Sequence, residues 1–244
     1  MGELTGAKSS VERSEMIAPS SITIVIPTLN EEKILIHQLK MLNHQQVSRQ
    51  EIIIVDGGSD DKTCQIAREF GCRVVSAARG RGQQMNKGAE VTDGEIILFL
   101  HADTFLPVDS LKMIRAALLD EKILGGNFRI RFSGETWESR WLTRLYQVLR
   151  LGGMCYGDSG LFVRRKVFEE IGGFRDYQLF EDCDIYRRIS KRGEFVTLNG
   201  VAETSSRRFE GRFIRTFILW ALLQGLYWCG VSPNRLATFY RTVR

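Results

Sequence analysis

The chain of 244 residues carries 34 Lys and Arg against 29 Asp and Glu, a formal charge of +5, with 43% apolar and 26% charged residues. Fourteen Phe and four Trp beside only four Pro exclude a disordered or fibrous chain. The basic residues are spread without a recognition motif, which argues against nucleic acid as a partner, and five cysteines without a CxxC pair indicate reduced cytoplasmic thiols rather than a disulfide frame or zinc site.

Residues 1–20 read as a polar tail without the apolar stretch of a secretory signal. Residues 21–26 (SITIVI) form a β-branched run expected to be a buried strand stopping at Pro27. Thr28-Leu-Asn-Glu31 has the spacing of a capping box, and Ile34, Leu35, Gln38, Leu39 and Leu42 follow with helical periodicity. A second strand is expected at 51–55, then a loop at 56–61, a helix at 62–70 closed by Gly71, and a third strand at 72–76. A Gly/Arg loop at 78–82 leads into a helix reaching Glu90, and a fourth strand at 95–100 delivers His101-Ala-Asp103 at its carboxyl end.

The alternation weakens after Asp120. Strands are expected at 125–132 and 160–164, helices at 136–151 and 181–192, and a turn at Gly172-Gly173-Phe174. Trp137 and Trp141, four apart on the first of these helices, read as core residues, and Cys183 as a buried thiol. The apolar run at 216–231 falls short of the roughly 20 residues that span a bilayer. It is bracketed by Arg207, Arg208, Arg212 and Arg215 and by Arg235, Arg241 and Arg244. The whole predicts one α/β domain over 21–244, a mostly parallel central sheet flanked by helices.

In such sheets ligands bind beyond the carboxyl ends of the strands. Thr28, Asn30 and Glu31 follow the first strand, Asp56 and Asp60 the second, Arg79, Arg81 and Gly82 the third, and His101 and Asp103 the fourth. Glu31 and Asp56 can accept hydrogen bonds from a base or ribose, and Arg81 between glycines suits a phosphate. Asp103 is a hard oxygen ligand suited to Mg2+ or Mn2+. A nucleoside diphosphate with a divalent ion uses all of these together. The glycine patterns of a dehydrogenase or a sugar nucleotidyltransferase are absent after the first strand, where the chain reads PTLNEEK.

Five collinear segments, SITIVIPTLNE, IIIVDGGSDD, ILFLHADT, YGDSGLFVRR and FEDCDIYRRI, resemble the family 2 glycosyltransferases, in particular a small bacterial branch associated with radical-SAM and selenoprotein domains. The resemblance implies a Rossmann-like nucleotide-diphospho-sugar transferase (GT-A) fold, a nucleotide-sugar donor, usually UDP-linked, and Mg2+ or Mn2+. It places Pro27, Thr28, Asn30, Glu31, Asp56 and Asp60 around the nucleoside, and Gly80, Arg81, Gly82, Gln83, Asn86 and Gly88 along the donor. His101 and Ala102 join the donor site, and Asp103 holds the metal. Asp182, with Glu181 second, supplies the base. Gly157, Asp158 and Ser159 face the acceptor or donor sugar. His101 stands where most relatives carry Asp.

A carboxylate base opposite the leaving group implies a single displacement with inversion. The rival reading is a nucleotide-sugar-binding scaffold without catalysis. For the C-terminal segment at 207–244 two readings stay open: a cytoplasmic membrane-surface contact presenting a lipid-linked acceptor, or packing on the sheet or a second subunit.

Overall fold

The structure, a computed structural model, describes residues 21–45, 51–134, 136–151, 159–205 and 213–243. Its first half is the predicted alternation. Strands β1 (Ile22–Thr28), β2 (Ile52–Asp56), β3 (Arg73–Ser76) and β4 (Ile96–Phe99) are separated by helices α1 (Glu32–Asn43), α2 (Thr63–Glu69) and α3 (Arg81–Glu90). These strands lie parallel in the order β3-β2-β1-β4, with β1 at the centre. Successive side chains of a strand point to opposite faces, so a strand covered on both must be apolar throughout. Ile22, Ile24 and Ile26 accordingly meet Leu35, Leu39 and Leu42 of α1 on one face, while Val25 meets Met85 of α3 on the other.

β1 runs past its expected end through Pro27 to Thr28. Proline removes a ladder donor, but the β1–β4 pairing has already ended at Val25 opposite Phe99, so no bond is lost there. The expected capping box does not form: Glu31 occupies the cap position of α1 with no side-chain cap bond. Thr63 Oγ1 accepts from Glu31 N–H at 2.8 Å and Asp61 Oδ2 from Glu32 N–H at 3.1 Å, so the caps come from the loop after β2.

The second half adds β5 (Thr104–Phe105), α4 (Ser110–Ala117), β6 (Ile123–Phe132), α5 (Trp137–Leu151), β7 (Leu161–Arg164), α6 (Arg165–Glu170), α7 (Glu181–Ser190) and β8 (Glu194–Thr204), and then α8 (Phe213–Trp228) and α9 (Pro233–Val243). The sheet continues from β4 through β7, β6, β8 and β5; β7 runs antiparallel to both neighbours, and β6 and β8 are parallel. α1, α2 and α4 cover one face, α3, α6 and α7 the other. α3 sits close because Gly88 faces the sheet: a Cβ there would lie 2.3 Å from Val25 Cγ1 and 3.0 Å from Val55 Cγ2.

One expectation for this half is corrected. Trp137 and Trp141 are not core residues but 60% and 39% exposed, because the buried side of α5 runs through Ser139 and Leu142. The two indoles turn outward and meet Phe213 and Phe217 of α8 edge-on. The apolar run at 216–231 falls mostly on α8, which ends at Trp228, and Gly230, with φ +87°, turns the chain toward α9. Among the described residues no helix is long and apolar enough to cross a membrane.

Candidate functional site

A cleft of about 250 Å3 opens beyond the carboxyl ends of β1, β3 and β4. The end of β1 supplies Pro27, Thr28, Leu29 and Glu31; the β3–α3 junction supplies Arg79, Gly80, Arg81 and Gln84; the chain after β4 supplies His101, Ala102 and Asp103. The first turn of α3 borders the cleft, so the positive end of its helix dipole adds to the Arg79 and Arg81 guanidinium groups. Glu31 and Asp103 supply the carboxylates on the same walls. Thr28 Oγ1 is buried there with no hydrogen-bond partner among the described residues. Anion-binding and cation-binding groups thus share one polar cleft, the chemistry a metal-bridged diphosphate requires.

The loop after β2 braces this wall rather than lining it. Asp56 is buried and accepts from Gly58 N–H and Ser59 N–H, both at 2.9 Å, and from the Ser59 hydroxyl. Burial alone would raise its carboxyl, but the Ser59 and Gly58 hydrogen bonds outweigh burial and hold it below the ordinary aspartate value. Burial, followed by the Asp56 charge, pushes the Cys64 thiol up. Asn30, at φ +56°, donates its N–H to Ser59 Oγ and accepts from Asp60 N–H through Oδ1. Asn30, Asp56 and Asp60 therefore lock two loops together and are not among the residues lining the cleft.

Gln84, the neighbour of the expected Gln83, lines the cleft. Its Nε2 donates to Thr28 O at 2.8 Å and to Val55 O at 2.7 Å, tying the ends of β1 and β2 to α3. Gln83 instead donates to Asp176 Oδ1 at 2.8 Å. Asn86 also faces away from the cleft, with both ends of its amide engaged by the backbone of Phe174. That bidentate pair seats the expected turn, in which Gly172 and Gly173 have φ of +74° and +64°. A residue count explains the exchange: neighbouring helical positions point about 100° apart, so only one of two adjacent glutamines can face the strands.

Glu181 and Asp182 begin α7 after Phe180, whose φ of +61° is unusual for a bulky residue and is held by stacking on Tyr227. Arg81 Nε lies 2.8 Å from Glu181 Oε1, and the Glu181 side chain is 2% exposed. Asp182 is partly exposed and accepts from Cys183 N–H at 2.7 Å. Cys183 is buried, as expected. Ser159 is also buried and holds Asn127 Nδ2 at 3.0 Å. Gly157 and Asp158 lie outside the described residues.

Residues 23–172 match the family model described as Glycosyl transferase family 2. The chain is 25% identical over 209 residues to a Bacillus subtilis (strain 168) protein named probable glycosyltransferase YdaM; the match covers 75% of this chain and half of that protein. Among solved structures, the mannosyltransferase PcManGT from Pyrobaculum calidifontis in complex with GDP-Man and Mn2+ superposes with a TM-score of 0.67 at 20% identity, over 83% of this chain and 61% of that one. S. aureus TarS 1-349 in complex with UDP gives 0.61 at 17% identity, over 76% and 60%. These structures share the nucleotide-sugar transferase fold with this chain.

Proposed function

Since the chain belongs to glycosyl transferase family 2 and is an enzyme of that family, we propose that it transfers a sugar from a nucleoside diphosphate donor, UDP-linked by first choice, to an acceptor hydroxyl with inversion. The observation that carries this reading is that Asp103 and the Arg81-bearing start of α3 line one cleft. The complexes of the two structural neighbours, one with UDP and one with GDP-Man and Mn2+, support a nucleotide-sugar donor and a divalent ion.

The donor diphosphate would lie along the start of α3, with Arg79 and Arg81 neutralising charge and Thr28, Leu29 and Glu31 against the nucleoside. Among the described residues no three His, Cys, Asp or Glu side chains form a metal cluster. A lone carboxylate fits a cation whose remaining ligands come from the diphosphate and water, as Mg2+ and Mn2+ accept. Asp103 would hold that ion, which supplies charge neutralisation for the departing diphosphate. Asp182, partly exposed at the head of α7, takes the acceptor hydroxyl proton as the acceptor oxygen bonds to the anomeric carbon and the bond to the phosphate oxygen breaks. Glu181 positions Arg81 and is not the base, since its carboxylate is buried against that guanidinium.

Binding without catalysis is the second reading, favoured by His101 at a position where the family resemblance implies Asp. Calorimetry with UDP and with GDP, each with and without Mg2+ or Mn2+, tests both. Cation-dependent binding of one nucleotide, lost in Asp103→Ala, together with hydrolysis or transfer of its sugar, is the expected result. Nucleotide binding unaffected by cations and by Asp103→Ala would overturn the metal assignment, and binding without any turnover would favour the second reading.

A further inference from the structure

Helix α8 carries large apolar side chains on both its inner and its outer face. Its inner face, through Leu219, Trp220, Leu223 and Tyr227, packs against Phe180 and Cys183 and against Leu236 and Ala237 of α9. Its outer face carries Ile214, Ile218, Leu222 and Leu226 at steps of four residues, 68%, 52%, 58% and 41% exposed. Steps of four keep side chains on one gently winding stripe. Trp137, Trp141 and Val148 form an exposed row on α5 beside it, joined to α8 by the contacts of both indoles with Phe213. An exposed apolar surface spanning two helices marks a contact site.

Charge says what makes the contact. Residues 213–244 contain Arg215, Arg235, Arg241 and Arg244 and no Asp or Glu. Exposed Arg144 sits between Trp141 and Val148 on α5, and exposed Arg235 is one turn from exposed Phe239 on α9. A second copy docked on this face about a two-fold axis would bring like patches, and so like charges, together. An anionic lipid surface complements them. Sixteen residues make α8 about 24 Å long, too short to cross the hydrocarbon layer but well suited to lie along its boundary.

We propose that the α5–α8 face docks on an anionic lipid bilayer, its aliphatic row among the acyl chains and Arg144 and Arg235 at the headgroup phosphates. The inner face of α8 touches Phe180 and Cys183, the two residues flanking Glu181 and Asp182, so the bilayer lies next to the start of α7. The acceptor is then a hydroxyl carried on a lipid; this half rests on the transferase reading, whereas the docking does not.

Flotation of the full chain with vesicles tests the docking. Binding is expected to equimolar phosphatidylcholine and phosphatidylglycerol, weaker to phosphatidylcholine alone, and reduced by salt. Ile218→Glu with Leu222→Glu lowers partitioning by at least about tenfold. Arg144→Gln and Arg235→Gln each lower it about fivefold on the anionic vesicles only. Far-ultraviolet circular dichroism confirms that each variant retains its fold, and UDP calorimetry on the same preparations reads nucleotide binding. No partitioning of the parent chain into anionic vesicles would overturn the proposal. So would a dimer in light scattering that Ile218→Glu with Leu222→Glu dissolves, since a second copy would then cover the face. Vesicle binding by a chain that binds no nucleotide would remove the transferase reading and its lipid acceptor and leave the docking in place.

Discussion

Arg81 Nε and Glu181 Oε1 stand 2.8 Å apart and join the first residue of α3 to the first residue of α7. The Glu181 carboxylate is buried, and its second oxygen has no hydrogen-bond partner among the described residues. Removing Arg81 would leave that charge without its ion-pair partner in a low-dielectric setting. Arg81→Met is expected to cost about 3 kcal/mol of folding stability, read as a lower urea midpoint at unchanged slope. Glu181→Gln, which removes the buried charge itself, costs clearly less.

The same pair separates the two acidic residues in catalysis. Asp182→Asn is expected to lower kcat by about 10²- to 10⁴-fold with nucleotide affinity unchanged, whereas Glu181→Gln acts mainly on donor affinity through Arg81. Steady-state kinetics beside UDP calorimetry decides it. The reverse pattern, with kcat abolished in Glu181→Gln and retained in Asp182→Asn, would exchange their roles.

Gln84 and Gln83 give a sharp contrast in stability. Gln84→Ala leaves the carbonyls of Thr28 and Val55 without their side-chain donor and is expected to cost about 2 kcal/mol. Gln83→Ala breaks an exposed bond to Asp176 and stays within about 0.5 kcal/mol of the parent. Thermal melts of the two variants side by side test the pair, and equal losses would refute the distinction.

Gly88→Ala places a methyl group into the side chains of Val25 and Val55. Overpacking of this kind costs about 1–3 kcal/mol, and here the helix that would have to retreat also forms the wall of the cleft. Lower stability and weaker nucleotide binding are therefore expected together, the first from denaturant melts and the second from calorimetry.

Acid should weaken the fold through Asp56. Its carboxyl is held below the ordinary value, so on acidification the unfolded chain takes up the proton first. The stability it contributes is complete above about pH 5 and is lost as the pH falls below about 4 toward its folded value. Asp56→Asn is expected to unfold more easily at neutral pH and to show a shallower loss on acidification. An acid limb identical to that of the parent would exclude Asp56 as a contributor.

Strands β1, β2 and β4 were legible because they are buried on both faces: ITIVIPT, IIIVD and IILF admit almost no polar residue. β8 was not, since it is largely half-exposed, and its pairing with β6 is interrupted by register shifts. Sequence spacing also failed where the partner is distant. Thr28 and Glu31 have the local spacing of a cap, yet the capping groups arrive from Asp61 and Thr63, about thirty residues on. Of the site, the cleft residues at the ends of β1 and β4 followed from their position after apolar strands. Leu29 and the inward glutamine did not, because an aliphatic side chain carries no chemical signature and helix phase is set by how α3 lands on Val25 and Val55.

The loops after β1 and β2 are cross-stitched by five hydrogen bonds involving Asn30, Glu31, Glu32, Ser59, Asp60, Asp61, Lys62 and Thr63. Neither loop can swing away without stripping its neighbour. The conformational entropy that a ligand would otherwise have to remove from this wall is already gone in the folded chain, so a molecule arriving there meets a rigid mould. Any rearrangement that admits and releases ligand must then fall to the parts of the cleft outside these two loops, the β3–α3 junction and the chain after β4.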